Sequence, residues 1–108
     1  MKVINIGKDN AIFQQIVALK ENRTKRTQMK MFFVEGVQNI KDAISNNWEI
    51  EALIYASNTK LSLWAKSILN VANYNYVISP ILMNKLSDKD DTSEILAIIK
   101  MKSTERIQ

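Results

Sequence analysis

Apolar residues recur along this chain in short blocks, separated by polar stretches that carry most of its asparagine, glycine and proline. Over residues 9–21, Ile12, Phe13, Ile16, Val17 and Leu19 return at the spacing of one helical face, and Asp9 or Asn10 is placed to cap the start. The periodicity then stops. Residues 22–30, NRTKRTQMK, offer no apolar face and read as an exposed loop. Met31-Phe32-Phe33-Val34 is a continuous run of strand formers, predicted to be a buried strand closed by Glu35-Gly36. Gly36 permits a tight turn into a helix with Val37, Ile40 and Ile44 on one face. Asn46-Asn47 can end that helix, because asparagine tolerates a left-handed backbone.

The same outline follows a second time. Residues 50–56 predict a strand around Leu53, Ile54 and Tyr55, and Asn58 or Thr59 caps a helix that turns Leu61, Trp64, Ala65, Ile68 and Ala72 inward. Residues 74–78 predict a third strand. Ser79-Pro80 is a cap followed by proline at the first helical position, leading a short helix with Ile81, Leu82 and Leu86. A polar turn over 87–93 leads to a last strand over 94–101, and residues 102–108 lose the pattern, as the start of a linker would. Strands separated by helix-length segments predict an α/β chain, a three-layer α/β/α sandwich around a central, mostly parallel sheet. One domain over residues 1–101 accommodates all of it.

Composition narrows the chemistry. At 46% hydrophobic and 24% charged, the 108-residue chain is ordinary for a globular domain. It has no cysteine, hence no disulfide and no thiolate metal site. It has no histidine either, which removes the commonest general base, the usual zinc ligand and the usual partner of a nucleophilic serine. Its first residues lack the apolar core of a secretory signal, and the longest uncharged stretch, 67–84, is broken by asparagines, Ser79 and Pro80, so it does not read as a membrane span. A cytoplasmic location is the expectation.

Charge is informative once it is located. The net charge is +4, and residues 20–30 hold Lys20, Arg23, Lys25, Arg26 and Lys30 against the single acid Glu21. The rest of the chain carries ten basic and ten acidic residues. A concentrated imbalance suggests a polyanionic partner rather than a solubility device, although a solvated loop remains the alternative from charge alone. Arginine offers a planar fork for phosphate or a surface for a base, and Thr24, Thr27 and Gln28 add groups suited to phosphate and 2′-hydroxyl oxygens. Among other candidates, Glu35 is better placed for a cap or turn hydrogen bond than for catalysis. Trp64 and the pair Tyr74/Tyr76 could stack on bases, with at least one of them expected to be packing. Trp48 lies in a turn before a strand. Asp88, Asp90 and Asp91 resemble half a calcium loop without its glycine and terminal glutamate, so a solvated turn is the better reading. Gly7 and Gly36 are the only glycines, too few for a loop that cradles a nucleotide cofactor.

Residues 26–36, Arg26-Thr-Gln-Met-Lys-Met-Phe32-Phe-Val-Glu-Gly36, resemble a signature of the SpoU/TrmH-type RNA ribose 2′-O-methyltransferases. In the N-terminal substrate-binding domain of that family, an arginine stands six residues before the phenylalanine of a Phe-x-Val-Glu-Gly stretch. Asn10 with its following helix, the helix over 37–44 and the strand Glu94-Ile-Leu-Ala-Ile-Ile99 are similar to the family's flanking elements, so the likeness spans nearly the whole chain. One position departs: where members often carry glycine two residues before the phenylalanine, this chain has Lys30.

The resemblance implies a fold related to ribosomal proteins that bind bent RNA. It also implies a parent enzyme that moves a methyl group from S-adenosylmethionine to a ribose 2′-hydroxyl, with ribosomal RNA as the expected substrate. The cofactor and the homodimer interface would belong to a C-terminal methyltransferase domain beyond residue 108, leaving this fragment a monomer with no cofactor and no catalysis of its own. The expected RNA-binding residues are Arg23, Lys25, Arg26 and Lys30, with Lys20 and Asn10 in support. The alternative is a free-standing RNA-binding adaptor of the ribosomal-protein type.

Overall fold

A computed structural model describes residues 2–87 and 94–101. Strands β1 (Lys2–Ile6), β2 (Met31–Glu35), β3 (Ile50–Ala56), β4 (Ala72–Ile78) and β5 (Leu96–Lys100) make one sheet in the order β1-β4-β3-β5-β2. The helices are α1 (Ala11–Glu21), α2 (Arg23–Met29), α3 (Val37–Ser45), α4 (Leu63–Ile68), continued by a single 3-10 turn, and α5 (Pro80–Leu86). β1, β4 and β3 run parallel, while β5 runs antiparallel to both its neighbours, β3 and β2.

Side chains alternate across a strand, so a central strand must be apolar on both faces to be covered twice. β5 meets that condition: Leu96 and Ile98 face one cluster, Ala97 and Ile99 the other. The first cluster joins them to Phe13, Ile16 and Leu19 of α1, to Leu82, Met83 and Leu86 of α5, and to Ala52 and Ile54 of β3. The second joins Ile40 and Ala43 of α3, Ala65 and Ile68 of α4, and Leu53. Helices therefore cover both faces, and the α/β/α sandwich expected from the alternation is present.

Several local readings hold as well. Ser79 caps α5 with Pro80 at its first position, and the Ser79 hydroxyl accepts from the Leu82 N–H. Asn47 is left-handed at φ 60°. Its N–H donates to Ile44 O at 3.1 Å and that of Trp48 to Ala43 O at 3.0 Å, the paired bonds of a Schellman ending.

The differences have physical reasons. Residues 22–30, read as a loop, contain the helix α2. β1 was not predicted: it is an edge strand with one sealed side chain, Ile6, and its partner β4 lies some seventy residues away in sequence, beyond any local periodicity. Ser62, not Asn58 or Thr59, caps α4, and its N–H and hydroxyl are held by the Glu94 carboxylate. Ala72 begins β4 instead of lining the helix, and Val37, grouped with Ile40 and Ile44, and Ile81, grouped with Leu82 and Leu86, stand exposed. The turn residues Asp88, Asp90 and Asp91 and the stretch 102–108 lie outside the described residues.

Gly36 links β2 to α3 with φ 113° and ψ 139°, a backbone region that side chains with a Cβ rarely enter. Gly36→Ala is expected to lower stability by about 1–3 kcal/mol in urea unfolding. Gly7→Ala, with nothing within 4 Å of the added carbon, should stay close to the parent. Equal stability of the two variants would show that the turn stores no such constraint.

Candidate nucleic-acid interface

The basic segment folds because both of its ends are tied. Asn22 serves two helices: its N–H donates to Ala18 O to end α1, and its side-chain oxygen accepts from the Lys25 N–H to start α2. At the other end Lys30 is left-handed, with φ 57° and ψ 42°, and its N–H donates to Arg26 O. Its carbonyl accepts from the Met101 N–H at 2.8 Å, fixing the end of α2 to the exit of β5. Between them Met29 packs against the core cluster shared with α1. Arginine, lysine, glutamine and methionine are all competent helix formers, a signal that an apolar-period reading passes over.

Helical spacing then arranges the charges. Arg23, Arg26, Thr27 and Lys30 stand at i, i+3, i+4 and i+7, which brings them along one side. Helical spacing puts Lys25 on the opposite flank of the partly buried Met29 edge. Arg23, Lys25 and Lys30 are exposed, and Arg26 is half-buried. Its Nε is sealed off without a hydrogen-bond partner, while the residue as a whole keeps part of its surface in contact with solvent. Among the described residues no carboxylate pairs with any of these four cations. Lys20 sits half-buried in the last turn of α1, next to this group. Asn10 does not join it: Asn10 caps the opposite end of α1, roughly 16 Å away, and its side-chain oxygen is engaged by the Phe13 N–H at 2.9 Å.

Two of these charges do not stabilise their own helix: Arg23 and Lys25 lie in its first turn, whereas Arg26 in the last turn and Lys30 at the C-cap sit where the dipole favours a cation. Cations in a first turn oppose the helix dipole, by about 0.3–1 kcal/mol each, and the first turn of α2 holds no acid. By contrast, Lys100 beside the exit of the chain is cancelled internally, its Nζ lying 3.2 Å from Glu49 and 3.6 Å from Glu51. A hydrogen bond from Asn73, together with Lys100, holds the Glu49 carboxyl below its ordinary value. The hydrogen bond to Glu49 and the charge of Glu51 hold the Lys100 ammonium above its own. Unbalanced positive charge is thus kept at α2 and removed at its neighbour.

The other candidates resolve into packing roles. The Glu35 carboxylate accepts from the Ser87 hydroxyl at 2.6 Å. The Trp48 ring meets Phe32 edge-on with centroids 5.5 Å apart, and the Lys41 ammonium lies 5.5 Å from the centre of Trp64. A cleft of about 380 Å³ beside β2 and α3 contains Glu35 and Asp42 and is a poor seat for a polyanion. No group of side chains among the described residues could hold a metal ion. Gly7 and Gly36 end different strands and build no common loop for a nucleoside cofactor. No helix among the described residues is long and apolar enough to cross a membrane.

Comparison with known proteins gives a consistent picture. The family model of the SpoU L30e-like domain matches residues 10–97. The chain is 35% identical over 94 residues to a 23S rRNA (uridine(2479)-2′-O)-methyltransferase of Streptomyces viridochromogenes, covering 85% of this chain and 33% of that protein. Its fold matches the crystal structure of the SpoU methyltransferase AviRb from the same organism, in complex with AdoMet, at a TM-score of 0.77 and 33% identity over 90% of this chain and 37% of the other. An RNA 2′-O ribose methyltransferase, 20% identical, shares the fold at a TM-score of 0.78 over 97% of this chain and 41% of its own. The chain spans about a third of the length of the two Streptomyces relatives.

The position of Arg26 yields a test that separates stability from recognition. A buried donor without a partner costs about 1–3 kcal/mol, and methionine can replace the apolar stem of arginine. Arg26→Met should therefore melt at or slightly above the parent temperature. A fall of several degrees would show that the guanidinium supports the fold.

Proposed function

We propose that this chain, which belongs to the SpoU L30e-like domain family, recognises structured ribosomal RNA on behalf of an S-adenosylmethionine-dependent ribose 2′-O-methyltransferase. The observation that carries this reading is the set of cations on and beside α2, Arg23, Lys25, Arg26 and Lys30, that find no carboxylate among the described residues. Phosphate contacts supply most of the sequence-independent affinity of nucleic-acid binding, and they need cations that are exposed and not already neutralised. The arginines can pair with phosphate bidentately, and Thr27 with Gln28 offers hydrogen bonds to sugar oxygens. Lys20 extends the patch along α1.

In this reading residues 1–101 are the recognition domain and the chain continues through a linker from residue 102 into a methyltransferase domain. The Streptomyces relatives are roughly two and a half times as long, and one is by name a 23S rRNA 2′-O-methyltransferase, which supports the division. The methyl donor and the homodimer contact lie in that further domain. The present domain is a monomer that orients RNA and makes or breaks no covalent bond, in keeping with a chain that lacks histidine and cysteine.

Binding of a 23S rRNA fragment, followed across a salt series, tests the reading. Four phosphate contacts predict a slope of about −3 to −4 in log K against log salt. Lys25→Ala should reduce the steepness by about one, and Arg26→Met should weaken binding by about 1–3 kcal/mol. A slope near zero would exclude phosphate recognition by this helix.

A further inference from the structure

Tyr74 and Tyr76 stand two residues apart on β4, so both project from the same face of the sheet. On this face α1 leans on β2 and α5 on β3, and the cover that seals Ile6 and Ile78 at one end of β1 and β4 leaves Ile4, Tyr74 and Tyr76 half-buried toward the other. Deep in that layer Ile54 and Leu96 are fully sealed, whereas both tyrosines are only half-buried. Their rings are stacked, 10° from parallel with centroids 5.9 Å apart. Their hydroxyls differ from that of Tyr55, which donates to Asn75 Oδ1 at 3.1 Å. Neither Tyr74 nor Tyr76 has a hydrogen-bond partner among the described residues, and partial burial, with Glu51 nearby, holds the Tyr76 phenol above its ordinary value.

The surroundings connect this pair to the basic helix. Tyr76 lines a small cleft together with Gln15 of α1 and Met29 of α2. Across the sheet, Lys2 of β1 stands opposite Tyr74 in register, is exposed and has no carboxylate partner among the described residues. The acid that shares the cleft, Glu51, is partnered by Lys100 at 3.6 Å.

We propose that Tyr74 and Tyr76 form a stacking platform for an unpaired base of the RNA whose phosphates meet α2, with Lys2 taking an adjoining phosphate at the β1 edge. The inference rests on the function proposed above and adds the class of RNA it favours: a strand with at least one base free of pairing. Paired bases are already stacked on their neighbours, and a single-stranded segment can extend a protein stack instead. The phenol hydroxyls can donate to base edges or sugar oxygens.

Fluorescence anisotropy with labelled octauridylate, an abasic ribose-phosphate octamer of equal charge and a short blunt RNA duplex tests this. The intact domain should bind octauridylate about tenfold more tightly than the abasic octamer. Tyr74→Leu and Tyr76→Leu should erase that preference and leave duplex binding within about twofold, while Tyr74→Phe keeps it, because stacking needs the ring and not the hydroxyl. Arg26→Met should weaken octauridylate and duplex alike. Equal binding of octauridylate and the abasic octamer by the unmodified protein overturns the platform, whatever the leucine variants do to folding. Indifference of both RNAs to Arg26→Met, with the base preference intact, would remove α2 from the reading and keep the platform. Absence of binding to any of the three overturns both.

Discussion

The insertion of β5 between β3 and β2 is the constraint on which the rest of this structure depends. It is the last described strand in sequence, yet it lies inside the sheet, antiparallel to both neighbours. Leu96 and Ile98 complete one apolar layer, and Ile95, Ala97 and Ile99 the other. Truncating a sealed isoleucine there to alanine would remove contacts worth about 2–5 kcal/mol. Without β5, β2 would have no strand partner at all, since it stands at the sheet edge and pairs with β5 alone. The end of β5 also sets the place of the basic helix, because the Met101 N–H holds the Lys30 carbonyl where α2 stops.

That bond explains how so polar a segment keeps a defined shape. An isolated helix as short as α2 is unstable in water, whatever its composition. Here it is bounded by an asparagine shared with α1, anchored by Met29 and closed by a left-handed residue. The left-handed residue is Lys30, the position at which this chain departs from the glycine often found in the family it resembles. Glycine enters that region without a Cβ penalty, whereas lysine enters it at a cost of about 1–2 kcal/mol and contributes a further cation at the helix end. Loop and charge thus meet in one residue. The first turn of the helix carries positive charge that its own dipole disfavours, on an otherwise electrically balanced body.

Much of this was legible in the sequence, where local patterns matched local structure. The cap and proline at Ser79-Pro80, the ending at Asn46-Asn47 and the turn at Gly36 are short-range devices whose residues announce them. So is the alternation that makes a sandwich. β1 escaped because its parallel partner lies far along the chain, and α2 because its local signals are a cap and polar helix formers while its end is closed by a distant hydrogen bond from Met101. Neither has the apolar period that a strand or helix shows when burial of one face holds it in place. For the candidate site, charge clustering located the segment, but only the backbone shows that Arg26 is drawn half inside, that Lys25 takes the other flank and that Asn10 stands at the far end of α1. Charge counting alone carries no direction. The tyrosine pair was visible as an alternation on a strand, while its stacked geometry is seen only in the structure.

The most direct measurement is amide chemical-shift mapping of the isotope-labelled domain titrated with a 23S rRNA fragment at low salt. The largest changes should fall on residues 22–30, with Lys20 and the neighbouring end of β5, and should fade as salt is raised. Shifts gathered instead around the far ends of β3 and β4, with residues 22–30 undisturbed, would contradict recognition by the basic helix.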